Sequence, residues 1–90
     1  MIALTELEQE FLKKWVELEY LCDMQLFGIE DVSENVNRDR GVLGSLEKKH
    51  ILYSDSDGIS NYVSDEAIET IRQYTGYIYE NGWFTKEETK

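Results

Sequence analysis

The sequence contains no proline, one cysteine and far fewer bases than acids. Without proline, nothing kinks a helix or stiffens a linker, and no internal boundary is marked. A lone thiol, Cys22, excludes an internal disulfide and a zinc site of cysteine type, so a reducing compartment is expected. No apolar run approaches the ~20 residues that span a bilayer. The opening residues, Met1-Ile2-Ala3-Leu4-Thr5-Glu6, lack the basic and apolar blocks of a signal peptide. The expectation is a cytoplasmic protein with no membrane partner. A phosphate-binding glycine loop, a nucleophile elbow and a metal-ligand cluster are also missing. No enzyme activity, cofactor or metal is therefore expected. Nine basic residues face nineteen acidic ones, a formal charge of -10, which disfavours nonspecific attachment to DNA or anionic membrane.

What is present suffices for a core. The 90 residues are 41% hydrophobic and 12% aromatic, enough for one domain. That domain is placed at residues 1–84, with 85–90 as a polar tail. Thr5 and Glu8 have capping-box spacing at the start of a helix expected to run to about residue 24. Leu4, Leu7, Phe11, Trp15, Leu18 and Cys22 recur at steps of three and four along it. Cys22 on that face is expected to be buried. Leu12, Val16 and Tyr20 form a second stripe, read either as further core or as a homodimer contact, with Tyr77 and Tyr79 as added candidates for a partner surface.

Ile29, Val32 and Val36 have the spacing of a short second helix beyond Gly28. Asn37 and Asp39 are helix-starting residues for a third, which turns Val42, Leu43 and Leu46 inward. Arg38, Arg40, Lys48 and Lys49 make this the one locally basic stretch. Two β-prone runs, 51–53 and 59–63, flank Asp57-Gly58 and read as a hairpin. Ser64 caps a last helix lined by Ala67, Ile71, Tyr74, Thr75 and Ile78, which Asn81-Gly82 is expected to end. Trp83 and Phe84 can fold back onto it. The core is expected to unite Phe11, Trp15, Leu18, Val32, Leu43, Leu46, Ile51, Ile71 and Ile78. The fold class is α+β, mainly α.

Leu46-Glu47-Lys48-Lys49-His50-Ile51-Leu52, followed by Tyr62-Val63-Ser64-Asp65-Glu66-Ala67, resembles the winged helix-turn-helix of bacterial regulators of the multiple-antibiotic-resistance type. The likeness covers residues 29–67. It implies three helices, a two-stranded wing and a C-terminal helix. It further implies a recognition helix over 38–49, with Arg38, Arg40, Ser45, Lys48 and Lys49 facing double-stranded DNA, as in a transcriptional regulator. Three features depart from the pattern. His50 stands where glycine is expected and must take a left-handed or adjusted backbone. Gly41 and Gly44 leave the reading face bare. The wing tip, Asp55-Ser56-Asp57-Gly58, offers carboxylates where DNA-binding wings offer Arg or Lys.

Other readings of these residues are weaker. In calcium-loop register Tyr53 and Ser64 would fall at ligand positions, so a solvated turn explains the tip. No motif joins Cys22 to His50, the sole histidine, as a catalytic pair. Two functions of different class remain. One is a small DNA-binding regulator, read from the local basic cluster. The other is an acidic protein-interaction module on the same scaffold, an accessory factor or an occupier of another protein's nucleic-acid site, read from the charge and the acidic wing.

Overall fold

The computed structural model describes residues 2–22 and 27–86. It is α+β and mainly helical, with α1 (Glu6–Cys22), α2 (Ile29–Val32), α3 (Val36–Lys48), β1 (Leu52–Asp55), β2 (Gly58–Asn61), α4 (Asp65–Thr75), β3 (Tyr77–Glu80) and β4 (Trp83–Lys86). The strands form two antiparallel pairs, β1 with β2 and β3 with β4. Phe27 bridges Ile59 and so attaches the segment before α2 to the first pair.

α1 begins with the expected capping box. The Thr5 amide donates to Glu8 Oε1 at 2.7 Å, and the Glu8 amide donates to Thr5 Oγ1 at 3.2 Å. The two predicted stripes are in fact one broad face. Neighbours such as Phe11 and Leu12, or Trp15 and Val16, differ by only about 100° around a helix. Because α1 packs against α2, α3, α4 and β4, all four of these side chains are enclosed. Leu12 and Val16 are fully buried in the chain's own core and cannot form a dimer surface. Leu7, at the margin of that face, is exposed, as is Cys22 in the final turn. The expected buried thiol is thus on the surface. The helix ends at Cys22, and residues 23 and 24 lie outside the described ones.

α2 is a single turn. Val36, expected to close it, instead opens α3, because Asn35 supplies the cap: its Oδ1 accepts from the Arg38 amide at 3.2 Å. Asn37 and Asp39 therefore lie inside α3. Asp39 is buried, and its carboxylate accepts from the Ser33 hydroxyl in the turn before α3. The C-terminus of α3 closes as a Schellman motif, with Ile51 N–H on Leu46 O and His50 N–H on Glu47 O. His50 takes φ 58°, the left-handed conformation expected of the residue in glycine's place.

The last helix is shorter than expected. Ser64 caps it, accepting from the Ala67 amide at 3.1 Å, but Gly76 ends it at φ 77°. Ile78 lies in β3, half-buried. Asn81 and Gly82 are the two-residue turn of the second hairpin, both with positive φ, a role that Asn-Gly fills as well as it caps a helix. Thr85 and Lys86 belong to β4 and not to a tail.

The core joins Phe11, Leu12, Trp15 and Val16 of α1 to Leu43 and Leu46 of α3, Ile51, Leu52, Ile59, and Ala67 and Ile71 of α4. Leu18 is half-buried against it. Trp15 is almost wholly enclosed, and its Nε1 donates to the Ile59 carbonyl at 3.2 Å.

Candidate functional site

The α3 face does not assemble as the expected basic surface. Buried Val42, Leu43, Leu46 and Asp39 fix its inward side. With 3.6 residues per turn, Asn37, Gly41, Gly44 and Lys48 then point most directly outward. A Cβ at Gly41 or Gly44 would meet nothing within 4 Å, so the middle of this face is open. Arg38 and Arg40 are two residues apart and diverge to opposite flanks.

Two of the expected DNA contacts turn into the fold. Lys49 Nζ donates to Glu8 Oε1 at 2.7 Å and to the Ala3 carbonyl at 3.0 Å, while the Ser45 hydroxyl donates to Glu8 Oε2. Glu8 is thus both the cap of α1 and the anchor of α3. Burial opposes its ionisation. The hydrogen bonds from Lys49, Ser45 and the Thr5 amide, with the charge of Lys49, outweigh burial and hold its carboxyl at about 2. Arg38 is half-exposed and pairs with Asp39 at 3.0 Å. Burial likewise opposes ionisation of Asp39, and the bonds from Arg38 and Ser33 overcome it and lower its pKa.

Arg40 and Lys48 remain exposed, with no ion pair to either among the described residues. Arg40 lines a cleft between α2, α3 and the first hairpin, in company with Glu30, Glu47, Asp55 and Asp57. Asp55 Oδ1 accepts from the amides of Asp57 and Gly58, closing the hairpin tip. The tip presents Asp57 to solvent. Among the described residues no group of three His, Cys, Asp or Glu side chains could hold a metal ion.

A second concavity was not expected. It is a half-open groove of 290 Å³ between the C-terminal half of α1, the outer face of β1–β2 and the second hairpin. α1 contributes Trp15, Glu19 and Tyr20; the first hairpin contributes Tyr53, Ser60 and Asn61. Val63, Tyr79, Gly82, Trp83 and Phe84 complete it. The rings support one another. Phe84 meets Trp15 edge-on at 5.5 Å and Tyr79 at a tilt at 4.9 Å. Glu19 is the one charged side chain among the described lining residues, and burial alone pushes its carboxyl up to about 7.

Of the remaining expected partner residues, Tyr20 and Tyr79 both line this groove, and Tyr20 is exposed. Tyr77 is buried under the Tyr20 ring at 5.2 Å, so it is not a surface residue. The signal for the groove was in the sequence: Tyr77-Ile78-Tyr79-Glu80 and Trp83-Phe84-Thr85-Lys86 are β-prone runs around an Asn-Gly turn. Nothing marked Glu19, which occupies an ordinary helical position between Leu18 and Tyr20.

No protein-family model, curated protein or solved structure matches this chain.

Proposed function

We propose that this chain is a winged-helix module that binds a protein with a basic surface, and that it does not read DNA. The observation that carries the reading is the fate of the cations of α3. Of the four basic residues in this stretch, Lys49 is held by Glu8 and Arg38 by Asp39, which leaves two, Arg40 and Lys48, without an ion pair among the described residues. A phosphate-binding face needs cations free to replace counterions. Here Gly41 and Gly44 leave the middle of the outward face bare, and the adjacent hairpin tip is acidic. Charge of -10 favours encounter with a basic protein and suppresses encounter with nucleic acid.

The winged-helix part of the proposal is supported by element order. A helix, a bridging residue at Phe27, two helices joined by a tight turn and a hairpin follow one another, with Phe27 paired to the second hairpin strand. α2 is reduced to one turn, and a second hairpin is added after α4.

A salt titration against random duplex DNA tests the function. A protein making six to ten phosphate contacts gains ~10³–10⁵ in affinity between 200 and 50 mM salt. The expected result is no duplex binding at the low end, alongside salt-sensitive binding of an arginine-rich peptide. Duplex binding that Arg38→Ala and Arg40→Ala abolish would overturn the proposal in favour of a DNA-binding regulator.

A further inference from the structure

Tyr20, Val63 and Trp83 are among the exposed large apolar side chains, and all three line the aromatic groove. Apolar surface gathered in one concavity, with a few polar groups inside it, is the usual form of a recognition pocket. The polar groups here identify the chemistry of what fits. The described lining holds one carboxylate and no cation. Its walls include Trp and Tyr rings, whose faces attract cations through the ring quadrupole. The chain's own Lys86 already shows that preference, with its ammonium 5.9 Å from the centroid of the Tyr20 ring.

Between the two common cationic side chains, the groove suits arginine. A guanidinium is flat, weakly hydrated and able to stack on a ring while its edge donates to a carboxylate. An ammonium is a compact, strongly hydrated point charge and loses more on entering an aromatic slot. We propose that the groove seats an arginine side chain of the protein partner, with Glu19 as its counter-charge and the Trp83, Tyr79 and Tyr53 rings as its walls. This inference rests on the protein-interaction reading above and adds the place and the side chain. A second copy of this chain is a poor occupant, since each copy carries -10.

The site carries its own signature in pH. Among the described lining residues, the other ionisable groups are the phenols of Tyr20 on α1, Tyr53 on β1 and Tyr79 on β3; Lys86 of β4 lies against the Tyr20 ring. With its carboxyl near 7, Glu19 is largely protonated at pH 6 and largely ionised at pH 8. A guanidinium favours the ionised form, so binding releases a proton and affinity rises with pH. Taking the competent fraction as the ionised one, the gain from pH 6 to pH 8 is about tenfold.

The experiment is an anisotropy titration of fluorescein-labelled hexa-arginine at pH 6, 7 and 8, with Trp15 and Trp83 emission as a second readout. Expected are an approximately tenfold tightening with pH and a loss of about tenfold or more in Trp83→Ala at pH 8, on the scale of a lost cation–π contact. Glu19→Gln should both weaken binding and flatten the pH dependence. Lys86→Gln, which removes a like charge, should tighten it. Asp57→Asn at the distant hairpin tip should leave the pH dependence intact. If hexa-arginine binds Glu19→Gln and Trp83→Ala as well as it binds the native chain, the groove is not the site, although the protein-interaction reading stands. Equal affinity for hexa-lysine would overturn the arginine assignment. A dimer in sedimentation that Trp83→Ala dissolves would make the groove a self-interface and also overturn it. Binding of duplex DNA would instead remove the functional reading on which this one rests.

Discussion

Glu8→Gln perturbs the cap of α1 and the anchor of α3 together, at little change in volume. The Glu8 side chain is 2% exposed, whereas Lys49 is 31% exposed. Breaking a fully buried ion pair costs about 3–5 kcal/mol. Lys49 can rehydrate, and glutamine still offers an oxygen to the Thr5 amide, so the expected loss at pH 7 is about 2–3 kcal/mol. The lowered carboxyl gives a comparable figure, ~3 kcal/mol for a drop from 4.5 to about 2. In a domain of this size that is roughly a 10–20 °C fall in Tm. The sign with pH follows from the depressed pKa. The contribution is fully present above 4.5 and is lost as pH falls through 4.5 towards 2, so native and variant stabilities should converge over that window. Urea unfolding across the window measures the gap. A double-mutant cycle with Lys49→Met should give a coupling above ~1 kcal/mol. A coupling below ~0.5 kcal/mol, or a gap that does not change with pH, would refute the anchoring role.

Gly41→Ala and Gly44→Ala enter open space on a helix and should each raise stability by about 0.5–1 kcal/mol in chemical denaturation, with partner binding unchanged. Gly76→Ala should do the opposite, since φ 77° strains any L side chain by ~1 kcal/mol, measurable as a lower Tm. His50→Gly should relieve the strain at φ 58° and stabilise by about 0.5–1 kcal/mol, net of the lost edge contact with Tyr62. Trp15→Phe should destabilise by roughly 1–3 kcal/mol, because it strands the Ile59 carbonyl in the core. Glu19 has a folded pKa above its ordinary value, so the fold favours its neutral form and loses that advantage as pH rises from 4.5 through about 7; Glu19→Gln should be more stable than the native chain at pH 8 and equal to it below pH 4.5.

The local signals in the sequence were readable and mostly correct. Thr5 and Glu8, Ser64, the first hairpin and the left-handed His50 each depend on neighbours within a few positions. Errors arose where two local rules competed. Asn35, Asn37 and Asp39 can all cap a helix, and the turn held by Ser33 chose Asn35. Gly76 and Asn81-Gly82 can both end a helix, and the first one reached did so. The deeper failures concerned distance along the chain. Lys49 and Ser45 looked like exposed polar residues because their partner, Glu8, lies 41 and 37 positions away. Leu12 and Val16 look spare in the sequence because β4 of the second hairpin, which helps to enclose α1, lies about 70 positions away. The same separation hid the groove, whose lining comes from both hairpins and the first helix.

The enclosure of α1 also has a meaning in time. α1 is made before all the elements that cover it, α2, α3, α4 and β4. Ribosomal synthesis runs at ~5–20 residues per second, so the stretch from Cys22 to Phe84 takes roughly 3–12 s to emerge. Until that interval ends, the nascent chain carries Phe11, Leu12, Trp15 and Val16 without the full set of their final neighbours. A helix with so broad an apolar face cannot find its native packing on its own. The core is therefore complete only once β4 has been made, and of the described elements that build it α1 waits longest.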